Sequence, residues 1–81
     1  MKLEQRLKQI VCTTLKIPEN IYTEELGAGD ILEWDSLGHT QILQSVEMEF
    51  NIAFDVGDAI AIENIGDLLA TIRQYVHSGE K

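Results

Sequence analysis

Four stretches of the chain carry apolar residues at intervals of three and four positions. The apolar positions are Leu3, Leu7, Ile10 and Val11, then Ile42, Leu43, Val46 and Phe50, then Val56, Ala59 and Ile60, and finally Ile65, Leu68, Leu69, Ile72 and Val76. This spacing gathers apolar side chains on one face of a helix. The pattern predicts an all-α fold of four helices, the third of them short, packed around one core.

Breaker residues divide these stretches. Pro18 ends the first helix, predicted over residues 1–16, because the residue before a proline disfavours helical dihedrals. A long first loop follows from Pro18 to Trp34 and contains the turn residues Gly27 and Gly29. Within it Thr23 can cap a single helical turn. The residues expected to hold this loop against the core are Ile17, Ile21, Leu26, Ile31 and Leu32.

Short polar side chains predict the ends of the later helices. Asn51 can end the second helix, predicted over residues 36–50, in a left-handed conformation. Asp55 and Asp58 are spaced like a capping box before the third helix, and Asn64 and Asp67 have the same spacing before the fourth. The chain beyond residue 77 is polar and is interpreted as a tail.

The start of the second helix is the stretch with the clearest chemistry. Either Asp35 or Ser36 can serve as the N-cap, and a capping serine with no further role is one interpretation of Ser36. A capping box beginning at Ser36 would place Glu or Gln at the position of His39. If Asp35 takes the cap, the Ser36 hydroxyl is left free at the positive end of the helix dipole, where a phosphate is favoured.

The chain length of 81 residues predicts one domain over residues 1–81, and we expect a monomer. The net charge is −8, which argues against binding to nucleic acid or to anionic membranes. An acidic domain suits partners with basic patches, although the charge could serve solubility alone. No apolar run has the length of a membrane span.

The sequence offers little for catalysis or metal binding. The single cysteine, Cys12, falls opposite the apolar stripe and is interpreted as a surface thiol, which together with the lack of a signal peptide favours the cytoplasm. No Cys/His cluster has metal-ligand spacing, so no metal site is expected. A triad of Asp35, Ser36 and His39 would need neighbours on one helical turn to converge, and we therefore predict a protein that is not an enzyme.

The triplet Asp35-Ser36-Leu37, followed by an apolar-striped helix that ends in Glu47-Met48-Glu49-Phe50, resembles the acyl carrier protein family. The resemblance covers most of the chain and implies a four-helix acyl-carrier bundle with a long first loop. It implies that Ser36 carries 4′-phosphopantetheine, with Asp35 and Leu37 completing the motif, and that its thiol holds acyl, aminoacyl or hydroxyacyl cargo. The implied partners are a phosphopantetheinyl transferase, an acyl- or aminoacyl-loading enzyme, and downstream condensing or transfer enzymes.

Two neighbours of the motif are open to more than one interpretation. His39 lies one turn after Ser36 and is a candidate contact to the phosphate, with packing at the head of the apolar stripe as the alternative. Gly38 costs roughly 1 kcal/mol of helix propensity relative to alanine. It either allows close approach by an enzyme or is tolerated drift.

The outward face of the second helix departs from the pattern of fatty-acid carriers. It carries Leu37, Gln41, Gln44 and Met48, which we predict to contact partners, and acids come only later, at Glu47 and Glu49. This difference favours a carrier of a specialised pathway. The alternatives are a housekeeping fatty-acid carrier and a carrier-fold adaptor that does not use Ser36. Cargo could be sheltered between the second and third helices by Leu43, Val46, Ala59, Ile60 and Ile62.

Overall fold

The computed structural model describes residues 3–79, and its regular elements are helices. They are α1 (Leu3–Leu15), α2 (Ser36–Phe50), α3 (Val56–Ala61) and α4 (Ile65–Gly79), with one 3₁₀ turn (Glu19–Ile21) in the first loop. Within the described residues the only strand-like pairings are two isolated bridges. The predicted all-α fold, with a long first loop and a short third helix, is confirmed; residues 1 and 2 of the predicted first helix lie outside the described part.

The core contains the predicted apolar stripes of α1, α2 and α4. The predicted stripe of α3 is wrong for Val56 and Ile60, which are both exposed. Helix α1 packs against both α2 and α4. These three helices contribute the fully buried side chains Leu7, Val11, Ile42, Val46, Ile65, Leu68 and Ile72. Leu3, Phe50 and Val76 pack against this cluster at its margin. Burial of these aliphatic faces is the main favourable term that holds the helices together.

Cys12 belongs to the core, so its interpretation as a surface thiol is wrong. Cys12 is only 8% exposed. The chain after α1 turns back on this side, because Lys16 adopts a left-handed conformation (φ 59°) and the Ile17 N–H donates to the Cys12 carbonyl at 3.0 Å. Burial raises the pKa of the Cys12 thiol, and the charge of Glu19 raises it further.

The first loop is anchored by fewer apolar side chains than predicted. Ile17 and Leu26 are buried and Ile31 packs against the core, whereas Ile21 is exposed and Leu32 is 92% exposed, so these two predictions are wrong. Thr23 closes a single turn through the Leu26 N–H and does not begin a helix.

Backbone hydrogen bonds replace the missing apolar anchors. The N–H groups of Ile65 and Gly66 donate to the carbonyls of Leu26 and Glu24, each at 2.9 Å. Gly27 lies so close to the chain before α4 that a Cβ there would be 2.8 Å from the Glu63 carbonyl oxygen. The loop is therefore fixed to the start of α4 by backbone contacts, which the pattern of apolar residues does not predict.

The three predicted cap positions, Asn51, Asp55 and Asn64, are confirmed, and two of these residues make the expected cap. Asn51 ends α2 in a left-handed conformation (φ 58°), and the Asn64 side chain accepts a hydrogen bond from the Asp67 N–H at 2.8 Å. The predicted capping box of α3 is wrong, because Asp55 makes no side-chain cap bond. The Asp58 carboxylate instead accepts a hydrogen bond from the Tyr75 hydroxyl of α4 at 2.5 Å.

None of the helices in the described part of the chain combines the length and the apolar character that crossing a membrane requires.

Candidate functional site

The amino end of α2 is capped by Asp35, which confirms one of the two predicted caps. The Asp35 backbone is extended, and its Oδ1 accepts a hydrogen bond from the Gly38 N–H at 2.8 Å. Ser36 is consequently the first helical residue, and it is exposed. Among the described residues none makes a hydrogen bond with its hydroxyl, whereas its carbonyl accepts one from Thr40 Oγ1 at 3.1 Å. The Ser36 hydroxyl thus has no structural task.

Gly38 is required by packing inside the protein, so tolerated drift is wrong, while close approach by an enzyme stays a prediction. The residue is buried, and a Cβ at this position would lie 2.3 Å from the Glu33 carbonyl oxygen and 3.1 Å from Leu15 Cδ2. Its small size lets the chain before the motif cross close to the first turn of α2. Gly38 thereby helps to hold the backbone on which Ser36 is presented.

Trp34 lines the site and supports His39 from within the core, a role that sequence reasoning missed. Its side chain is fully buried, and its indole N–H donates to His39 Nδ1 at 3.0 Å. The two rings are stacked with 6.1 Å between centroids. The helix-start pattern gave no sign of this contact because Trp34 precedes α2 and has no place in its apolar stripe.

Both ring nitrogens of His39 have partners within the protein. Nδ1 accepts from Trp34, and Nε2 lies 3.2 Å from the carbonyl oxygen of Ala59 in α3. The second bond needs a proton on Nε2, so the pair of contacts assigns the neutral Nε2–H tautomer. A phosphate contact from His39 stays a prediction, and it would require one of these bonds to be released.

The short helix α3 is attached by polar contacts at both ends and by the packing of Ala59 against the core. None of its residues is fully buried. At its amino end the Tyr75 hydroxyl accepts from the Asp55 N–H at 2.9 Å and donates to Asp58, and this bond to Asp58 raises the pKa of Tyr75. At its carboxyl end it is held by His39 through Ala59. Ile60 is 74% exposed, so its predicted place between α2 and α3 is wrong.

The predicted partner face of α2 is exposed. Leu37 is 66% and Met48 is 84% exposed, and Gln41 and Gln44 are exposed beside them. Contact with partners along this face stays a prediction.

The two later acids of α2 are engaged internally. Glu47 accepts a hydrogen bond from the Phe54 N–H at 2.8 Å. Glu49 accepts one from Arg6 Nε at 2.7 Å, which lowers the pKa of Glu49. Both carboxylates thus have a hydrogen-bond partner within the protein.

A cleft opens beside Ser36. It is lined by the loop segment 27–30, by the segment 62–64 before α4, and by His39 and Thr40 of α2. The arrangement does not build a hydrolytic triad, since His39 has no free ring nitrogen and the Asp35 carboxylate caps the helix. An exposed hydroxyl beside an open cleft does fit a long, covalently attached group. Among residues whose positions are described, no three His, Cys, Asp or Glu side chains are grouped to hold a metal ion.

Comparison with known proteins identifies the family. The family model described as "Phosphopantetheine attachment site" matches residues 5–72. An acyl carrier protein of Nitratidesulfovibrio vulgaris (strain DSM 19637 / Miyazaki F) is 32% identical over 79 residues, which span 90% of this chain and 96% of that protein. The solution structure of a holo acyl carrier protein from Geobacter metallireducens superposes with a TM-score of 0.84 at 28% identity, covering 96% of this chain and 90% of the other. The chain therefore belongs to the acyl carrier protein family, whose members carry covalently bound phosphopantetheine and are not enzymes.

Proposed function

We propose that Ser36 is the residue to which 4′-phosphopantetheine is attached. The observation that carries this proposal is that Asp35, and not Ser36, caps α2. The exposed Ser36 hydroxyl makes no hydrogen bond to any described residue. A modifying transferase needs such a hydroxyl at a fixed position. The first turn of α2 adds the positive end of the helix dipole beside the phosphate that would be formed.

The residues around Ser36 hold and present the group and do not react. Asp35 fixes the first turn, Gly38 lets the preceding chain pass close to it, and Trp34 supports it from below. The thiol of the bound group supplies the point at which acyl, aminoacyl or hydroxyacyl cargo is held as a thioester. A flexible tether then raises the effective concentration of that cargo at the active site of each partner.

The test is intact-mass spectrometry after incubation with coenzyme A and a broad-specificity phosphopantetheinyl transferase. Ser36→Ala should gain no mass. Thr40→Ala is the matched control, since it removes an exposed hydroxyl one turn further along α2 and should be modified like the unaltered chain. An adduct that maps to another residue overturns the assignment. No adduct with several transferases would favour the alternative of a carrier-fold adaptor.

We further propose that the partners belong to a specialised biosynthetic pathway. The exposed face of α2 offers Leu37, Gln41, Gln44 and Met48, and the nearby Glu47 and Glu49 are engaged by Phe54 and Arg6. Enzymes that dock on this face meet amides and apolar groups there instead of carboxylates. They include the phosphopantetheinyl transferase, the enzyme that loads the cargo and the condensing or transfer enzymes that receive it.

Electrostatic attraction supports partners with basic surfaces. The sequence has no lysine or arginine between Lys16 and Arg73, while every acidic residue except Glu4 and Glu80 lies in that interval. Most of this negative charge lies in the first loop, in α3 and in the segments on either side of α3. A basic partner surface would be steered towards these segments, and the attraction would weaken with added salt. A cytoplasmic location stays a prediction.

A further inference from the structure

We propose that His39 is a positioning residue that fastens α3 to the start of α2 while its ring is neutral and that this attachment is loosened when the ring is protonated. The observation that carries this inference is the continuous chain of hydrogen bonds from Trp34 Nε1 to His39 Nδ1 and from His39 Nε2 to the Ala59 carbonyl. These hydrogen bonds connect the buried Trp34 to α3, a helix that has no buried residue of its own.

Only one protonation state of His39 satisfies this chain. Indole nitrogen is a donor and a backbone carbonyl is an acceptor, so Nδ1 has to be bare and Nε2 has to carry the proton. Protonation of Nδ1 would set two N–H groups against each other at the 3.0 Å that now separates Trp34 Nε1 from Nδ1. Trp34 is fully buried, so the His39 ring is the group that would have to turn away. A ring that turns also moves Nε2 away from the Ala59 carbonyl oxygen, which now lies 3.2 Å from it, even though Nε2 keeps its proton.

The charged groups that share the cleft with His39 are of one sign. Histidine is the side chain whose ordinary titration falls between pH 5 and 8. The ionisable groups that line the cleft with it are all carboxyl groups, Glu25 and Asp30 from the first loop, Asp35 from the start of α2, and Glu63 from the segment before α4. The cleft lining contains no lysine or arginine. The unfavourable contact on charging is thus the one with Trp34.

The helix that His39 holds is suited to local release. α3 has six residues, too few to be stable without tertiary contacts. It is also held by two hydrogen bonds to the Tyr75 hydroxyl, which involve Asp55 and Asp58. Ala59 packs against the core, and Ile62, directly after the helix, is buried. Loss of the His39 bond would therefore loosen, without detaching, the part of α3 that carries Ile60, which lines the cleft beside Ser36. His39 therefore couples pH to the shape of one wall of the site.

The first experiment is an NMR titration of the unmodified chain from pH 8 to pH 5. Its readouts are the His39 ring nitrogens, the Trp34 indole proton, and hydrogen exchange of the Ala59 and Ile62 amides, whose bonds to Asp55 and Asp58 close α3. At pH 8 the Nε2–H tautomer is expected. With falling pH, the chemical shift of the Trp34 indole proton should change with the same midpoint as the signals of the His39 ring. The exchange rates of the two α3 amides, divided by their intrinsic rates at each pH, should rise with that midpoint too. Protection should fall about fivefold, the factor that corresponds to one hydrogen bond of about 1 kcal/mol.

Two variants separate the two bonds of His39. Gln places an amide near the position of Nε2 and keeps a donor for Ala59, whereas Asn places its oxygen near Nδ1 and keeps an acceptor for Trp34. His39→Gln should protect α3 to the same extent at pH 8 and pH 5. His39→Asn should keep the Trp34 bond but leave α3 about fivefold less protected at both pH values. His77→Gln changes the only other histidine and should leave the pH response intact.

The inference is overturned if the His39 ring titrates while the Trp34 indole and the α3 amides do not respond, or if the Nδ1–H tautomer is found at pH 8. It is also overturned if His39→Gln keeps the full pH response of α3. The titration of the unaltered chain is decisive by itself, so the test stands even where a variant folds poorly. All readouts come from unmodified protein and do not depend on the attachment of phosphopantetheine to Ser36.

Discussion

The Gly38 Cα faces the Glu33 carbonyl so closely that a Cβ on Gly38 would lie 2.3 Å from that oxygen. The contact is between two backbone segments, so no side-chain rotation can relieve it. It fixes how the chain before the motif crosses α2, and it explains why a buried helical position is occupied by a residue with poor helix propensity.

Gly38→Ala should therefore destabilise the fold even though alanine is the better helix former. Helix propensity alone predicts a gain of about 1 kcal/mol, and overpacking of a fixed backbone contact should reverse it to a loss of about 1–3 kcal/mol. Gly57→Ala in α3 is the control, since a Cβ there meets nothing within 4 Å and should leave stability unchanged or raised. Urea unfolding followed by circular dichroism measures both. Equal effects of the two substitutions would contradict the packing argument.

The Asp35 cap should be worth more than the Asp55 cap. Asp35→Ala removes the bond from Gly38 N–H to Oδ1 and should cost about 0.5–2 kcal/mol of stability. Asp55→Ala should cost less, because the Asp55 side chain makes no cap bond at the start of α3. Asp35→Ser should retain most of the stability, since serine is also a good N-cap. Thermal unfolding of the three variants under one buffer gives the comparison, and an Asp55→Ala loss as large as that of Asp35→Ala would refute it.

The sequence predicts the parts of this fold that local rules determine. Helical spacing located α2 and α4, and short polar side chains located the caps at Asp35, Asn51 and Asn64. These features depend on residues three or four positions apart, so they are readable from the chain.

The errors concern contacts between residues that are distant in sequence. Cys12 is buried because the chain beyond Lys16 folds back beside it. The Asp58 carboxylate does not close a capping box, because it binds the Tyr75 hydroxyl of α4. The buried Trp34–His39 pair joins the site to α3 in the same way. The attachment serine is predictable because its motif is local, whereas the packing that supports it depends on tertiary structure.

Tyr22 should make stability fall at alkaline pH. Its hydroxyl is buried with no hydrogen-bond partner among the described residues, and burial is the main cause that raises its pKa to about 12. Because the pKa in the folded state is above the ordinary value near 10, the neutral form is favoured by folding. The contribution is therefore complete below pH of about 10 and is lost as pH rises towards about 12.

Tyr22→Phe tests this expectation. The substitution removes a buried, unsatisfied hydroxyl and should leave stability at pH 7 unchanged or raise it by up to about 1 kcal/mol. It should also weaken the alkaline loss, measured by urea unfolding at a series of pH values from 8 upwards. Tyr75→Phe is the contrasting variant, since it deletes two hydrogen bonds to α3 and should lower stability at pH 7. A Tyr22→Phe protein with the same alkaline loss as the unaltered chain would disprove the assignment to Tyr22.

The composition of the α2 face should decide which enzymes accept this carrier. Gln41 and Met48 are exposed there, and the neighbouring Glu49 is paired with Arg6, so a basic enzyme that expects carboxylates finds none free along the face. Charges at the rim of an interface chiefly steer association. Each missing charge should weaken productive encounter by about 0.2–1 kcal/mol. We therefore expect poor exchange with fatty-acid elongation enzymes and better activity with a dedicated partner.

The double variant Gln41→Glu with Met48→Glu should improve work with fatty-acid elongation enzymes, and the improvement should shrink as salt is added because the new charges are exposed. Met48→Glu alone should weaken the dedicated partner, since the flexible thioether suits an adaptable apolar contact and a carboxylate does not. Gln41→Asn is the neutral control at the same face. Steady-state kinetics with holo-protein as the varied substrate measures kcat/KM for each enzyme. If the unaltered chain already serves elongation as efficiently as a housekeeping carrier, the amide-rich face is not a specificity element and the assignment to a specialised pathway fails.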